Sequence, residues 1–399
     1  MSQVPELEIR VIRSLSSIAP SDWQRVLPKD AGPFLHYSFL SLLEETGCVC
    51  AETGWEPAHL ALYAKGGNEL LGAMPLYLKT HSYGEYVFDW SWAEAYAQQG
   101  LSYYPKALSA IPFTPATGSR LLARTANHQA ALVSGLVQLL TQLKLSSAHV
   151  LFPQTEDARL LTEIGFMRRE SVQFHWHNQN YADFDQFLAT LTMKRRKNIK
   201  RERKQVHDAG ITFRHIPGSQ ISGDEVLMFY RCYANTYQTH YSTPYLNQLF
   251  FQKWVQAMPD SLHFIMAIRD GQTIASALLV IDRDGHKAYG RYWGCLEQHP
   301  CLHFETAFYQ AIEFCIKEHI QLLEGGAQGE HKMARGFMPS TVSSYHYLVD
   351  QRFADAVDRF LERERMGIGQ YLDELAEHSP LRQGSHGLEL GKNNENALK

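Results

Sequence analysis

The chain has 399 residues, of which 45% are hydrophobic and 12% aromatic, and it carries a formal net charge of −4. This composition excludes an intrinsically disordered chain, and the slightly acidic balance excludes a protein that is basic over its whole surface. The composition does not exclude a basic patch on part of the surface. The length exceeds what one ordinary hydrophobic core needs, so we expect two domains.

Targeting and redox signals favour a cytoplasmic protein. The N-terminus lacks a basic stretch followed by an apolar one, so no secretory signal is visible. The longest apolar runs, such as 130–140 and 276–281, are shorter than the roughly 20 residues that cross a bilayer, so we expect no transmembrane segment. The six cysteines are scattered, and we expect reduced thiols.

The first half of the chain mixes strand and helix patterns. We predict, in order, a strand at 7–13, helices at 21–27 and 37–45, strands at 58–64, 70–78 and 86–90, a helix at 127–144, a strand at 148–152, a helix at 156–164 and a strand at 167–177. A loop-rich stretch, 91–124, has no equivalent in the second half.

The second half gives nearly the same order. We predict a helix at 181–209, a strand at 211–216, helices at 223–239 and 245–258, strands at 262–269, 273–282 and 286–294, a helix at 302–319, a strand at 320–324, a short helix, a strand at 344–349 and a helix at 353–375. The Asp270-Gly271 and Asp284-Gly285 pairs predict hairpin turns.

The shared order of elements indicates an internal duplication. A recurring tripeptide supports it, because Gly165-Phe166-Met167 returns as Gly336-Phe337-Met338. A β-α-α-β-β-β-α-β-α-β unit predicts an α/β fold of the α+β mixed-sheet kind, mostly antiparallel with one parallel pair and with helices on both faces. The predicted organisation is a domain at 1–178 with an insertion at 91–124, a domain at 179–378 and a disordered tail at 379–399.

The segment 324–338 is a dense polar cluster between apolar runs, and its glycines allow backbone to approach a ligand closely. It follows a predicted strand, which is where α/β folds place chemistry. The alternative is a solvated loop whose charges pair with one another. The candidates are Glu324 and His331 for proton transfer and Gln328, Lys332 and Arg335 for binding substrate or donor.

A second candidate region is the basic run from Lys194 to Lys204, which contains one acid, Glu202. Apolar residues at helical spacing place this run on the basic face of an amphipathic helix. Such a face binds phosphates of tRNA, of a nucleotide-linked substrate or of CoA, or it is simply solvated. The donor-binding candidates here are Lys194, Arg195 and Arg201.

Three further groups are candidates for ligand binding. The aromatic-rich insertion offers Trp92 and Gln99 as part of the wall of an acceptor site. The alternative is that the insertion packs between the two domains. Arg120 follows a Thr-Gly-Ser stretch that suits an anion. Arg291 and Trp293 flank the strand-to-helix corner of the second copy, next to His303. We predict no metal site, because the His303-Phe304-Glu305 triplet lacks the cysteine pair of zinc deaminases.

Six segments point to one family. They are H-S-Y-G-E-Y-V-F-D-W-S-W-A (81–93), Y-Y-P-K (103–106), P-F-T-P-A-T-G-S-R-L-L (112–122), K-R-R-K-N-I-K-R-E-R (194–203), L-H-F-E-T (302–306) and E-G-G-A-Q-G-E-H-K-M-A-R-G-F (324–337). Together they resemble the FemAB-like branch of the GNAT acyltransferase superfamily, also described as peptidoglycan biosynthesis or recognition proteins.

The resemblance implies two tandem GNAT-like domains. It also implies transfer of an acyl or aminoacyl group from acyl-CoA or aminoacyl-tRNA to an amine acceptor, such as a peptidoglycan-type precursor. One departure leaves CoA open as the donor, because 294–300 replaces the usual glycine turn that holds a pyrophosphate. The alternative is a recognition module that binds a glycan, peptide or nucleotide-linked ligand without turnover.

Overall fold

The computed structural model describes residues 6–326 and 329–382. The strands of the first half are β1 (Leu7–Ile12), β2 (Trp55–Pro57), β3 (His59–Ala64), β4 (Leu70–Met74), β5 (Tyr77–Lys79), β6 (Lys106–Ser109), β7 (Leu122–Ala123), β8 (Ser147–Leu151) and β9 (Met167–His177). Its helices are α1 (Pro20–Val26), α2 (Tyr37–Glu45), α3 (Trp90–Gln98), α4 (Ala126–Leu143) and α5 (Thr155–Glu163).

The second half repeats this alternation. Its strands are β10 (Thr212–Pro217), β11 (Leu262–Arg269), β12 (Gln272–Asp282), β13 (Lys287–Cys295), β14 (Leu322–Glu324) and β15 (Met338–Leu348). Its helices are α6 (Phe184–Thr190), α7 (Met193–Asp208), α8 (Gly223–Thr239), α9 (Gln248–Ala257), α10 (Leu302–Phe304), α11 (Gln310–Lys317) and α12 (Gln351–Glu377). A π-helical segment, Glu305–Tyr309, joins α10 to α11.

The chain divides into two compact units. Unit 1 contains the residues up to Ser171 together with Val342–Gly367, and unit 2 contains Val172–Thr341 together with the residues from Ile368 onward. The sequence predicts contiguous domains that meet at residue 178, whereas the contacts place 342–367 with the first unit. Of the tail predicted to be disordered, 383–399 lies outside the described residues.

Unit 2 contains strands in the order β10-β11-β12-β13-β14-β9. All neighbours are antiparallel except β13 and β14, so the predicted single parallel pair is confirmed. The predicted β11–β12 hairpin is also confirmed. Asp270 and Gly271 both have positive φ at its turn, 51° and 73°, which is the conformation that an Asp-Gly pair adopts at low cost.

Unit 1 contains two runs of strands. One is the antiparallel sheet β1-β3-β4-β7, and the other has the order β15-β8-β6-β5-β2. The parallel pair here is β6 and β8. Because β6 belongs to the predicted insertion, this stretch supplies a strand of the sheet in addition to loops.

The predicted strand at 86–90 is wrong, because the segment before α3 is irregular. Lys106 is fully buried beneath this segment, and its ammonium donates to Ser82 and Glu85 at 2.8 Å each and also to Asp89. These contacts draw both carboxylates inward. The segment is therefore anchored by side-chain contacts with Lys106 and not by strand pairing.

The predicted helix at 181–209 is two helices, since α6 ends before the buried Leu191 and α7 begins after it. Leu191 is extended and bridges Leu381, and the Arg382 N–H donates to the Thr190 carbonyl at 2.9 Å. Residues 380–382, predicted as part of a disordered tail, thus pair with the break.

Packing of α8 against β13 generates the first testable prediction. A Cβ added at Gly294 would overlap the Cys232 carbonyl of α8, whereas one added at Gly290 would meet nothing closer than the Glu324 carbonyl at 3.5 Å. Overpacking of this kind typically costs about 1–3 kcal/mol. We expect Gly294→Ala to lower the free energy of unfolding in urea by that amount and Gly290→Ala to change it little. Equal effects would contradict the close helix–strand contact.

Candidate active site

The two parallel strands of unit 2, β13 and β14, are no longer paired after Tyr289 and Glu324. β13 and β14 are paired only from Lys287 with Leu322 to Tyr289 with Glu324, while β13 continues to Cys295. The β12–β13 register also shifts there, so that Arg291 is an extra, bulged residue. Bulges bend a strand and are enriched beside active sites.

A cavity of about 210 Å³ borders this opening. Four of the predicted site residues line it, and the rest of the wall is mostly apolar. The lining residues are Arg291, Trp293, His331 and Lys332 from the prediction, together with Ala277, Leu278, Leu279, Gly290, Tyr292, His303, Ala307, Phe308, Leu323, Gly325 and Phe337. The structure therefore brings together residues from the strand-to-helix corner and from the polar segment.

Glu324 is not part of this lining, although its neighbours Leu323 and Gly325 are. Its strand register places it opposite Tyr289 and His175. Because successive side chains of a strand point to opposite faces, Glu324 lies on the other side of the strand from Leu323. Burial raises the pKa of its carboxyl to about 7, against the opposing effect of nearby cations. The structure does not bring Glu324 and His331 into one lining.

His331 and Lys332 lie on a 3-10 helix, Glu330–Arg335. The Lys332 ammonium is buried and donates to the Gly326 carbonyl at 3.3 Å, and burial lowers its pKa to about 8. Burial also lowers the pKa of His331, helped by two adjacent cations. The cavity therefore combines an amine close to its titration point with an imidazole that stays neutral near pH 7.

His303 is a lining residue that sequence reasoning did not assign to catalysis. Its ring lies 4.5 Å from the Trp293 ring and 6.4 Å from the His331 ring, centroid to centroid. Burial, with smaller contributions from nearby cations, lowers its pKa to about 4, so it is a neutral base at pH 7. The π-helix begins two residues later, and such segments are frequent at functional sites, but the sequence carries no clear signal for one.

Arg335 was predicted to bind an anion, and the structure corrects this. Its guanidinium is buried and donates to both carboxylate oxygens of Glu202, at 3.0 and 3.1 Å, and to the His331 carbonyl at 2.7 Å. It also lies 3.3 Å from the centroid of the Phe304 ring. Because Glu202 neutralises it, Arg335 fixes the 3-10 helix to α7 instead of binding a ligand.

The basic run lies on α7 and divides into inward and outward residues. Lys194 and Arg201 are exposed and Arg195 is half-buried, as a phosphate-binding face requires. Arg203 instead forms ion pairs with Glu305 at 3.0 Å and Glu313 at 2.8 Å. The surface available to a polyanion is therefore smaller than the sequence indicates.

The structure also corrects the prediction that Arg120 of unit 1 binds an anion. Its side chain is fully buried and donates to backbone carbonyls that include those of Leu151 and Ala116. The pairing of β6 with β8 ends at Ser109 and Val150, one residue before Leu151. A side chain thus occupies the end of the parallel pair in unit 1, where unit 2 has a cavity. Arg120 anchors backbone and is not an anion site.

The remaining predicted residues lie apart from the cavity lining. Trp92 is buried in unit 1, with its ring 4.9 Å from the His346 ring, so it belongs to a core and not to an open wall. Gln99 follows α3 and is exposed. Gln328 lies outside the described residues.

Comparison with known proteins identifies the family. A family model named FemAB-like and described as peptidoglycan biosynthesis/recognition matches residues 14–383. A search of curated proteins found no match. Among the described residues, none of the helices combines the length and the apolar character needed to cross a membrane.

Solved structures share the fold at low identity. L-PGS from Bacillus licheniformis matches with a TM-score of 0.51 and 11% identity, covering 87% of this chain and 96% of that one. FemX matches with a TM-score of 0.50 and 11% identity, covering 88% and 100%. A tandem GNAT protein from the clavulanic acid biosynthesis pathway has a TM-score of 0.45 and 11% identity, covering 86% and 99%. The predicted mixed-sheet fold in two units is confirmed, and L-PGS and FemX share it over most of both chains.

The buried Glu324 generates a pH prediction. Because its pKa is about 7 in the folded chain and near 4.5 when exposed, the folded state keeps a proton that the unfolded state loses between these values. Glu324 therefore destabilises the fold increasingly as pH rises through that window. We expect Glu324→Gln to be more stable than the parent by up to about 3 kcal/mol above pH 7 and equal to it below about pH 4.5.

Urea unfolding across this pH range measures the effect, with the exposed Glu69→Gln as the matched control. A pH-independent difference between Glu324→Gln and the parent would contradict the raised pKa.

Proposed function

We propose that this chain, which belongs to the FemAB-like family, transfers an acyl or aminoacyl group to an amine in the cavity of unit 2. Family and fold support an acyltransferase-type function in peptidoglycan-related biosynthesis. The observation that carries the finer proposal is the opening between β13 and β14, lined by two neutral imidazoles and the buried Lys332.

The chemistry requires that an amine lose a proton as it attacks the donor's carbonyl carbon. His303 and His331 are neutral at pH 7 and can each accept this proton. Because a pKa of about 4 makes His303 a weak base, His331 is the stronger candidate for general base and His303 lies beside it. The C–O bond of an ester donor or the C–S bond of a thioester donor then breaks, and the captured proton passes to the leaving group. Lys332 is placed to stabilise the oxyanion as an ammonium donor. Glu324 remains a proposed proton-transfer residue on the far side of its strand.

The proposed donor is an aminoacyl-tRNA or an acyl-CoA. The exposed Lys194 and Arg201, with Arg195, offer a cationic face to a polyanionic donor. For CoA, residues 294–300 precede the continuous helical stretch over 302–317 but lack the glycine turn that presents backbone N–H groups to a pyrophosphate at a helix N-terminus. This departure favours the tRNA-linked donor.

Turnover tests the cavity assignment. We expect His303→Ala and His331→Ala each to lower kcat by roughly 10²–10⁴-fold, as loss of a general base does, and Lys332→Met to lower it similarly. The assay follows release of free tRNA or CoA with an amine-bearing peptidoglycan-type peptide as acceptor. His240→Ala, an exposed histidine of α8's C-terminal end, is the control and should retain full activity.

Unchanged turnover in all three cavity variants would remove the active-site assignment. Absence of turnover in the parent with every donor, despite saturable binding of the acceptor peptide, would favour the recognition module instead.

Salt dependence tests the donor. If α7 contacts tRNA phosphates, we expect Lys194→Glu and Arg201→Glu each to weaken binding of charged tRNA and to reduce the slope of log affinity against log salt by about one. Lys29→Glu, an exposed lysine of unit 1, is the charge-matched control. Filter binding from low to physiological salt measures both. Slopes equal to that of the parent would exclude tRNA contact through this helix.

A further inference from the structure

Unit 2 contains a second cavity, of about 340 Å³, which shares no lining residue with the first. It lies where β10 and β12 end and β11 begins, and the last turns of α11 close one side. The first cavity is bordered instead by His303 to Phe308, ahead of α11. A volume of this size is at the low end of ligand sites, about 300–1,000 Å³, and suits one small molecule.

A hydrogen-bond chain fixes the tautomer of a histidine in this wall. The Gln310 Nε2 donates to Glu305 at 2.7 Å, so its Oε1 must accept from His215 Nε2, 2.9 Å away. His215 Nδ1 is then an acceptor, and His263 Nε2 donates to it at 3.0 Å. The network therefore assigns the His263 proton to Nε2 and makes its Nδ1 a hydrogen-bond acceptor.

The surroundings keep His263 neutral. The residue is 6% exposed, and its ring stacks on Phe314 with centroids 3.8 Å apart. Burial lowers its pKa to about 3, and the charges of Arg283 and Lys317 act in the same direction. An acceptor that stays uncharged at all ordinary pH values favours an N–H or O–H donor on the ligand.

Exposed side chains of both charge signs surround the cavity. Arg283 and Lys317 supply two cations, and Asp260 and Glu318 supply two anions, all of them exposed and without ion pairs to other described residues. A fifth charged lining residue, Glu313, forms an ion pair with Arg203, which it shares with Glu305. The floor is apolar, formed by Leu262, Ile281 and Phe314.

We propose that this cavity binds a small zwitterion with an apolar body, the chemistry of a free apolar amino acid. The carboxylate pairs with Arg283 and Lys317, the ammonium lies between Asp260 and the acceptor nitrogen of His263, and the side chain covers Phe314. The site goes beyond the proposed acyl transfer and does not depend on it. It also contacts the π-helix region of the first cavity through the Glu305–Gln310–His215 chain.

Isothermal titration of the full chain with L-leucine and L-phenylalanine tests the proposal, and we expect saturable binding with one site. Leucinamide lacks the carboxylate and isocaproate lacks the ammonium, so each should bind at least about tenfold more weakly than leucine. Arg283→Gln should weaken leucine by a similar factor and leave leucinamide unchanged. Asp260→Asn should weaken leucine and leave isocaproate unchanged.

Two controls separate this cavity from other sites. Arg231→Gln, an exposed arginine of α8, should bind leucine as the parent does. Nitrogen NMR of isotope-labelled histidine should show a change at His263 Nδ1 on saturation with leucine. No binding at millimolar leucine, equal binding of isocaproate or inorganic phosphate, or leucine affinity unaffected by both rim variants would each overturn the proposal.

Discussion

The ion pair between Arg335 and Glu202 is the contact on which the candidate active site depends. Its side chains are 6% and 19% exposed, and the guanidinium also holds the carbonyl of His331. Removing one partner of a buried pair leaves a charge without compensation, at a cost of about 3–5 kcal/mol. The position of the 3-10 helix, and with it of His331 and Lys332, is therefore coupled to α7, the helix that also presents the exposed cations.

Arg203, the next residue of α7, forms an ion pair with Glu305 and so holds the π-helix against α7 in the same way. Two neighbouring residues of α7 thus position both walls of the cavity, one carrying His331 and the other carrying His303. Unit 1 has the corresponding parallel pair, β6 and β8, and there Arg120 donates to the Leu151 carbonyl just after the last paired residues. Duplication of one scaffold has left the cavity at the opening between β13 and β14 in unit 2 and a buried arginine in unit 1.

Local patterns predicted much of the fold, because hairpins such as Asp270-Gly271 and amphipathic helices depend on neighbouring residues. The break at Leu191 was missed, since its partners come from residues 381 and 382, far along the chain. Glu324 lies in the predicted polar segment, but whether a strand residue faces the cavity changes with every single position. The roles of Arg335 and Arg120 also depend on distant partners, which residue type alone does not reveal.

An experimental structure of the chain with a non-hydrolysable donor, an aminoacyl-adenosine analogue or an acyl-CoA analogue, tests the central claim most directly. The quantity to measure is the position of the acyl carbonyl carbon. The account predicts that it lies in the cavity between β13 and β14, within hydrogen-bonding reach of Lys332 and next to His303 and His331. An acyl group bound in unit 1, with this cavity empty, would contradict it.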